Sequence, residues 1–99
     1  MEELARLQSW YAANCDGDWE HTNGIVIDTL DNPGWRFEVD LADTPLNQRL
    51  FNPVNRQAQD LDSDWVRCDV VNGKFRGFGG PTNLTELVNV FLVWAEHVV

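Results

Sequence analysis

Residues Gly24–Leu41, GIVIDTLDNPGWRFEVDL, decide the fold. The second half alternates without a break, Trp35, Phe37, Val39 and Leu41 against Arg36, Glu38 and Asp40. A period of two predicts a strand with one buried and one wet face. The first half is rich in β-branched residues and predicts a second strand. Asp31-Asn32-Pro33-Gly34 supplies the turn, with Pro fixing φ and Gly accepting a left-handed conformation. An odd-length loop puts Ile25 and Ile27 on the face of Val39 and Leu41, whereas an even one puts Val26 and Leu30 there. The odd register is preferred because it keeps both isoleucines in the core. It also makes Asp28 and Glu38 near neighbours on the wet face, an unfavourable arrangement for like charges. A partner that relieves the repulsion and a slipped register are the two alternatives.

A second hairpin follows the same logic. Residues 65–71, WVRCDVV, and 74–80, KFRGFGG, flank Asn72-Gly73, a strong signal for a two-residue type I′ turn. Counting outward, Val71 faces Lys74, Val70 faces Phe75, Asp69 faces Arg76 and Cys68 faces Gly77. Val66, Cys68, Val70 and Phe75 then line the inner face. The outer face carries an Asp69–Arg76 ion pair together with Trp65, Arg67 and Phe78, an unusual load for a solvated surface. Either residues 42–63 fold over it or it is exposed for binding.

Helices bracket the hairpins. Leu4, Leu7, Trp10 and Tyr11 form one apolar stripe, Glu2 and Glu3 suit the positive end of the helix dipole, and the helix stops near Asn14. At the other terminus Asn83 is placed as N-cap with Glu86 completing a capping box. Leu84, Leu87, Val88, Phe91, Leu92, Trp94, Ala95 and Val98 make a broad apolar face. Residues 42–63 read as an irregular connection with a short strand near Arg49–Phe51. The expectation is a single α+β domain over residues 1–99. Its core is an antiparallel sheet of about four strands, built from two hairpins, with N- and C-terminal helices packed on one face.

The chain has 99 residues, 43% of them apolar, with five Trp and five Phe, so aromatics must supply much of a small core. Sixteen acidic against seven basic side chains give a formal charge of −9. That field disfavours nucleic acid and anionic membranes and favours basic protein surfaces. Cys15 and Cys68 lie far apart, no signal peptide is visible, and no run is long enough to span a membrane. Two free thiols in a cytoplasmic protein are the expectation.

The stretch Cys15–Gly24, CDGDWEHTNG, concentrates chemistry-bearing residues. Asp16, Asp18 and Glu20 imitate the start of a calcium loop, but His21 and Ile27 stand where Gly and a bidentate Glu are required. Cys15 and His21 lack the further partners of a catalytic set, and the Gly-rich 77–80 run lacks the Lys and Ser/Thr of a phosphate loop. No cofactor or metal is expected. Recognition remains: Asp16, Asp18 and Glu20 around Trp19, adjoining Asp28, Glu38 and Asp40, suit docking to a basic protein, with Trp65 and Phe78 as further anchors. The plainer reading of Trp19 is a core residue with solvated neighbours. A small metal- or ligand-binding enzyme centred on Asp16–His21 and a structural or regulatory binding module are the competing classes.

Residues 7–35, LQSWYAANCDGDWEHTNGIVIDTLDNPGW, continued by VDLADTPL, resemble the bacterial immunity protein 53 family of polymorphic toxin systems. The later blocks DWVRCDV, KFRGFGG and NLTELVNVFLVW resemble its C-terminal half. The resemblance implies a cytoplasmic antidote that binds and neutralises a cognate toxin domain. A nuclease with a basic cleft would suit a −9 inhibitor.

Overall fold

In the computed structural model, which describes residues 2–57 and 63–97, two helical segments precede the first hairpin. The order is α1 (Glu2–Asn14), α2 (Trp19–Thr22), β1 (Ile25–Leu30), β2 (Gly34–Asp40), β3 (Val54–Gln57), β4 (Trp65–Val71), β5 (Lys74–Gly79) and α3 (Leu84–Glu96). The strands form one antiparallel sheet in the order β1-β2-β5-β4-β3. This is the expected α+β architecture with one strand more than four.

The first hairpin adopts the odd register: Ile25 pairs with Val39 and Ile27 with Phe37, across the three-residue connection 31–33. Phe37, Val39 and Leu41 are buried as their alternation demands. Ile27, however, is 42% exposed. β1 is the sheet edge, and α1 packs chiefly against α3, so the helical layer does not close over it. Gly34 does not take a left-handed φ. It is the first residue of β2, and a Cβ there would overlap the carbonyl oxygen of Gly79 on the neighbouring strand. Close backbone approach, not turn geometry, is what requires glycine.

The second hairpin matches the counted register, with Asn72 and Gly73 at φ 54° and 75° as a type I′ turn requires. The strand expected at Arg49–Phe51 lies instead at Val54–Gln57 and pairs with β4. The earlier segment is drawn to the helix side. Phe51 packs edge-on against Phe75 and Trp94, and the Leu50 carbonyl accepts the Trp94 indole N–H at 2.9 Å. Leu46 is fully buried there. The remainder of that connection, residues 58–62, lies outside the described residues, as does Val98 of the final apolar face.

Leu87, Val88, Phe91 and Leu92 of α3 are the centre of the core. The Phe91 ring lies 5.0 Å from Trp10, 5.2 Å from Phe75 and 5.9 Å from Phe37, all edge-on, the arrangement aromatic quadrupoles favour. Phe91 therefore joins α1 and α3 to the adjacent strands β2 and β5. The capping box expected at its N-terminus is absent. Asn83 Oδ1 accepts the Gly80 N–H and its amide donates to Asp64, both at 3.1 Å, while Glu86 pairs with Arg56. Buried Asn83 thus satisfies the tight strand-to-helix turn before it and leaves the helix end uncapped by a side chain. At the other end Arg49 donates to the carbonyls of Trp94 and His97, placing a cation on the negative end of the dipole.

Both long helices contribute to the core on the inner face of the sheet, and among the described residues no helix covers the outer face. Among the described residues, no helix is long and apolar enough to cross a membrane.

Candidate functional site

The acidic stretch is a folded connection. As α1 ends, the Asn14 amide donates to the Trp10 carbonyl and the Cys15 thiol to that of Tyr11. Asp16 Oδ1 then accepts the N–H groups of Asp18 and Trp19, each at 2.9 Å. Glu20 reaches back to accept those of Asp16 and Gly17 at 3.0 and 2.8 Å. These bonds organise the single turn of α2. They hold both carboxyls below their usual range: Asp16 chiefly through the Trp19 N–H, Glu20 chiefly through its own N–H with those of Asp16 and Gly17 adding.

Trp19 is 4% exposed. Its indole N–H donates to the Ala42 carbonyl at 2.8 Å, and its ring meets Trp10 and Tyr11 edge-on. The structure therefore places Trp19 in the interior, fastening α2 to α1 and to the chain after β2. Asp18 and His21 project from this turn into solvent. Among the described residues no group of three or more His, Cys, Asp and Glu side chains is set to hold a metal. Asp16 and Glu20 are already engaged by backbone N–H groups.

Asp28, Glu38 and Asp40 lie on the outer sheet face or its margin, and each carries a cation. Arg36 contacts Asp28 at 3.2 Å and Glu38 at 3.4 Å, relieving the repulsion expected between them. Lys74 contacts Asp40 at 3.0 Å, and the other oxygen of Asp40 accepts the Gly24 N–H. Farther across, Arg76 makes two 2.8 Å bonds to Asp69 while its guanidinium lies 5.6 Å from the centre of the Phe78 ring. Phe78 is half-buried between its cross-strand neighbours Arg36 and Arg67. Trp65 is half-buried and lines a cleft of about 420 Å³ with Asn32, Asn55, Gln57 and Arg67.

The outer face is thus a lattice of alternating charges carrying two aromatics, not an unbroken acidic field. Among the described residues Glu2, Glu3, Asp16, Asp18, Glu20, Asp31 and Asp43 have no cationic partner. Asp16, Asp18, Glu20 and Asp43 belong to one end of the molecule, because the Trp19–Ala42 bond brings α2 against the turn that contains Asp43. Sequence reasoning missed Asp43, which follows that bonded alanine at a positive φ of 61°. The partner cations Arg36 and Lys74 were legible only through strand register.

Both cysteines are unpaired, Cys15 partly exposed and Cys68 buried. Burial, with nearby Asp69 adding, pushes the Cys68 thiol up to about 12.

Residues 4–96 match the family model described as immunity protein 53. No curated protein and no solved structure matches the chain.

Proposed function

The chain belongs to the immunity protein 53 family, and we propose that it binds a cognate bacterial toxin domain in the cytoplasm and neutralises it by occlusion. The observation that carries this reading is the extent of the family match, which takes in all five strands, α2, α3 and all but the first two residues of α1. Family membership points to binding rather than catalysis, and the engagement of Asp16 and Glu20 by backbone N–H groups fits a recognition surface better than a reaction centre.

On this reading the −9 charge steers the encounter. A toxin with a basic cleft, such as a nuclease, would be drawn to the uncompensated end formed by Asp16, Asp18 and Glu20, with Trp19 holding that turn from beneath. Asp28, Glu38 and Asp40 would exchange their internal cations for toxin cations at the rim, and Trp65 and Phe78 would supply apolar contact on the outer face. Long-range attraction of this kind raises the association rate more than it deepens the final affinity.

Co-expression with the toxin domain encoded beside this chain tests the proposal. Expected are survival of cells that otherwise die, co-purification in a stoichiometric complex, and an association rate that falls as salt rises. Equal killing with and without the chain, and no complex at low salt, overturns it.

A further inference from the structure

The two edges of the sheet are finished differently. β3, at one edge, is four residues long, reads Val-Asn-Arg-Gln, and its Arg56 is held by Glu86 and Asp64. Short, polar and charged edges resist pairing with other chains. β1, at the other edge, is six residues of Ile-Val-Ile-Asp-Thr-Leu with Val26 and Ile27 more than two-fifths exposed.

Hydrogen-bond alternation tells which β1 groups face outward. The Asp40 N–H donates to the Gly24 carbonyl, so Gly24 and Asp40 form a bonded pair, and in this register Val26, Asp28 and Leu30 bond to β2 in the same way. The N–H and C=O groups of Ile25, Ile27 and Thr29 therefore point away from the sheet. Asp28 Oδ1 takes the Thr29 N–H at 2.8 Å. Among the described residues nothing bonds to the outward groups of Ile25 or Ile27. Beside this open edge is a mostly apolar groove of about 370 Å³ between β1 and α1, lined by Leu7, Gln8, Tyr11, Gly24 and Ile25. Tyr11 is 38% exposed on the groove wall, and the side chain of Ile27 continues it along the helix-bearing face.

We infer that an extended, net-basic segment of the toxin adds to the sheet as a further strand along the outer edge of β1, its alternate apolar side chains seated against Tyr11, Ile25 and Ile27. This rests on the immunity reading and specifies the contact within it. Main-chain bonds to a sheet edge supply affinity, and pockets for every second side chain supply selectivity. Charge selects the occupant. No Lys or Arg lines the groove; Asp16, Asp18 and Glu20 lead into β1, Asp28 is on it, and Asp31 follows it. A second copy would bring −9 against −9. A basic strand meets complementary charge along its length.

Amide hydrogen exchange on the full chain, alone and with a catalytically inactivated form of the toxin domain encoded beside it, tests the inference. Expected is fast exchange at Ile25 and Ile27 in the free protein and strong protection in the complex, with Val26 and Asp28 protected in both. The variant Ile27→Pro removes one outward N–H without touching the β1–β2 ladder, and proline is tolerated on an edge in that position. It should weaken toxin binding by at least about tenfold, while Ile27→Thr, which keeps the N–H, should weaken it less. Tight toxin binding with Ile25 and Ile27 still exchanging fast overturns the strand-edge inference and leaves the immunity reading standing. Concentration-dependent protection of these amides without toxin assigns the edge to a second copy and overturns it too. No binding of toxin by the wild-type chain overturns the immunity reading and this inference with it.

Discussion

Arg36 donates to Asp28 across the β1–β2 pair at 3.2 Å. The same guanidinium reaches Glu38 on its own strand, so a single cation sits between two acids that would otherwise repel. The arrangement lets a register that buries Phe37 and Val39 coexist with acids on the wet face. Replacing Arg36 with Gln should destabilise the fold modestly at neutral pH, since the groups are solvent-exposed. Asp28 is held below its usual range first by the Thr29 N–H and then by Arg36. A lowered carboxyl contributes stability above its unfolded value and loses it as pH falls through the folded one. Urea unfolding of wild type and Arg36→Gln should therefore differ at pH 7 and converge as the pH falls through the lowered folded value of Asp28.

Trp19 gives a prediction of the opposite kind, large in stability and small in recognition. Trp19→Ala should cost about 3–5 kcal/mol, from lost burial and a residual cavity. Trp19→Phe should cost about 1–2 kcal/mol, because it keeps the apolar body and loses the bond to the Ala42 carbonyl. Thermal unfolding measures both. Below its unfolding temperature Trp19→Phe should bind toxin as wild type does, whereas a large loss of affinity would mean that the ring reaches the partner.

Period-two alternation and the Asn72-Gly73 turn made both hairpins legible down to their pairing, because register follows from pattern and loop length. What escaped was decided by contacts between distant segments. β3 begins at Val54 because Leu50 and Phe51 are spent on Trp94 and Phe75, a competition that has no local signature. Asn83 caps nothing because Gly80 and Asp64 claim its amide. Ile27 has the right face yet stays exposed, since only strand order reveals that β1 is an edge. Within the candidate site the acids were visible, but their pairing with Arg36 and Lys74 required the register, and the open N–H groups of β1 required the whole sheet.

The Asp16–Glu20 turn predicts an acid limit on stability. Both carboxyls are lowered by backbone N–H groups, so their contribution is present above the unfolded values near 4 and is lost as pH falls through the folded ones. Stability should be level above about pH 5 and decline below about pH 4. Asp16→Ala should lower the neutral plateau and flatten the acid limb, as read by urea midpoints from pH 2 to 7. An unchanged acid limb would mean that other carboxylates set it.

The cysteines should report the integrity of the core. Cys68 lies against Gly77 between β3 and β5, its thiol pushed up to about 12 by burial. A thiol-specific reagent at pH 8 should therefore modify partly exposed Cys15 first and reach Cys68 only at the rate of unfolding. Adding urea should merge the two phases. Two equally fast phases in native buffer would show a sheet that opens readily at β4.

The outer-face acids test how much of the encounter is electrostatic. Charge reversal at Asp28, Glu38 and Asp40 removes three negative charges and adds three positive ones, taking the formal net charge from −9 to −3. It also frees Arg36 and Lys74 from their present partners, so the local field changes sign rather than merely weakening. The triple variant should keep its fold, because all three side chains lie on or beside the uncovered face and none enters the core cluster. Its association with toxin should slow by about tenfold or more at low salt and by less at 0.5 M salt, where the screening length is only a few ångströms. Dissociation should change less, as expected for charges that steer rather than anchor. Asp18→Lys, at the uncompensated end and with no side-chain bond among the described residues, should produce the same signature on a smaller scale. Stopped-flow association across a salt series separates the contributions. An on-rate indifferent to both variants would move the docking surface away from the acids and onto the aromatic patch of Trp65 and Phe78.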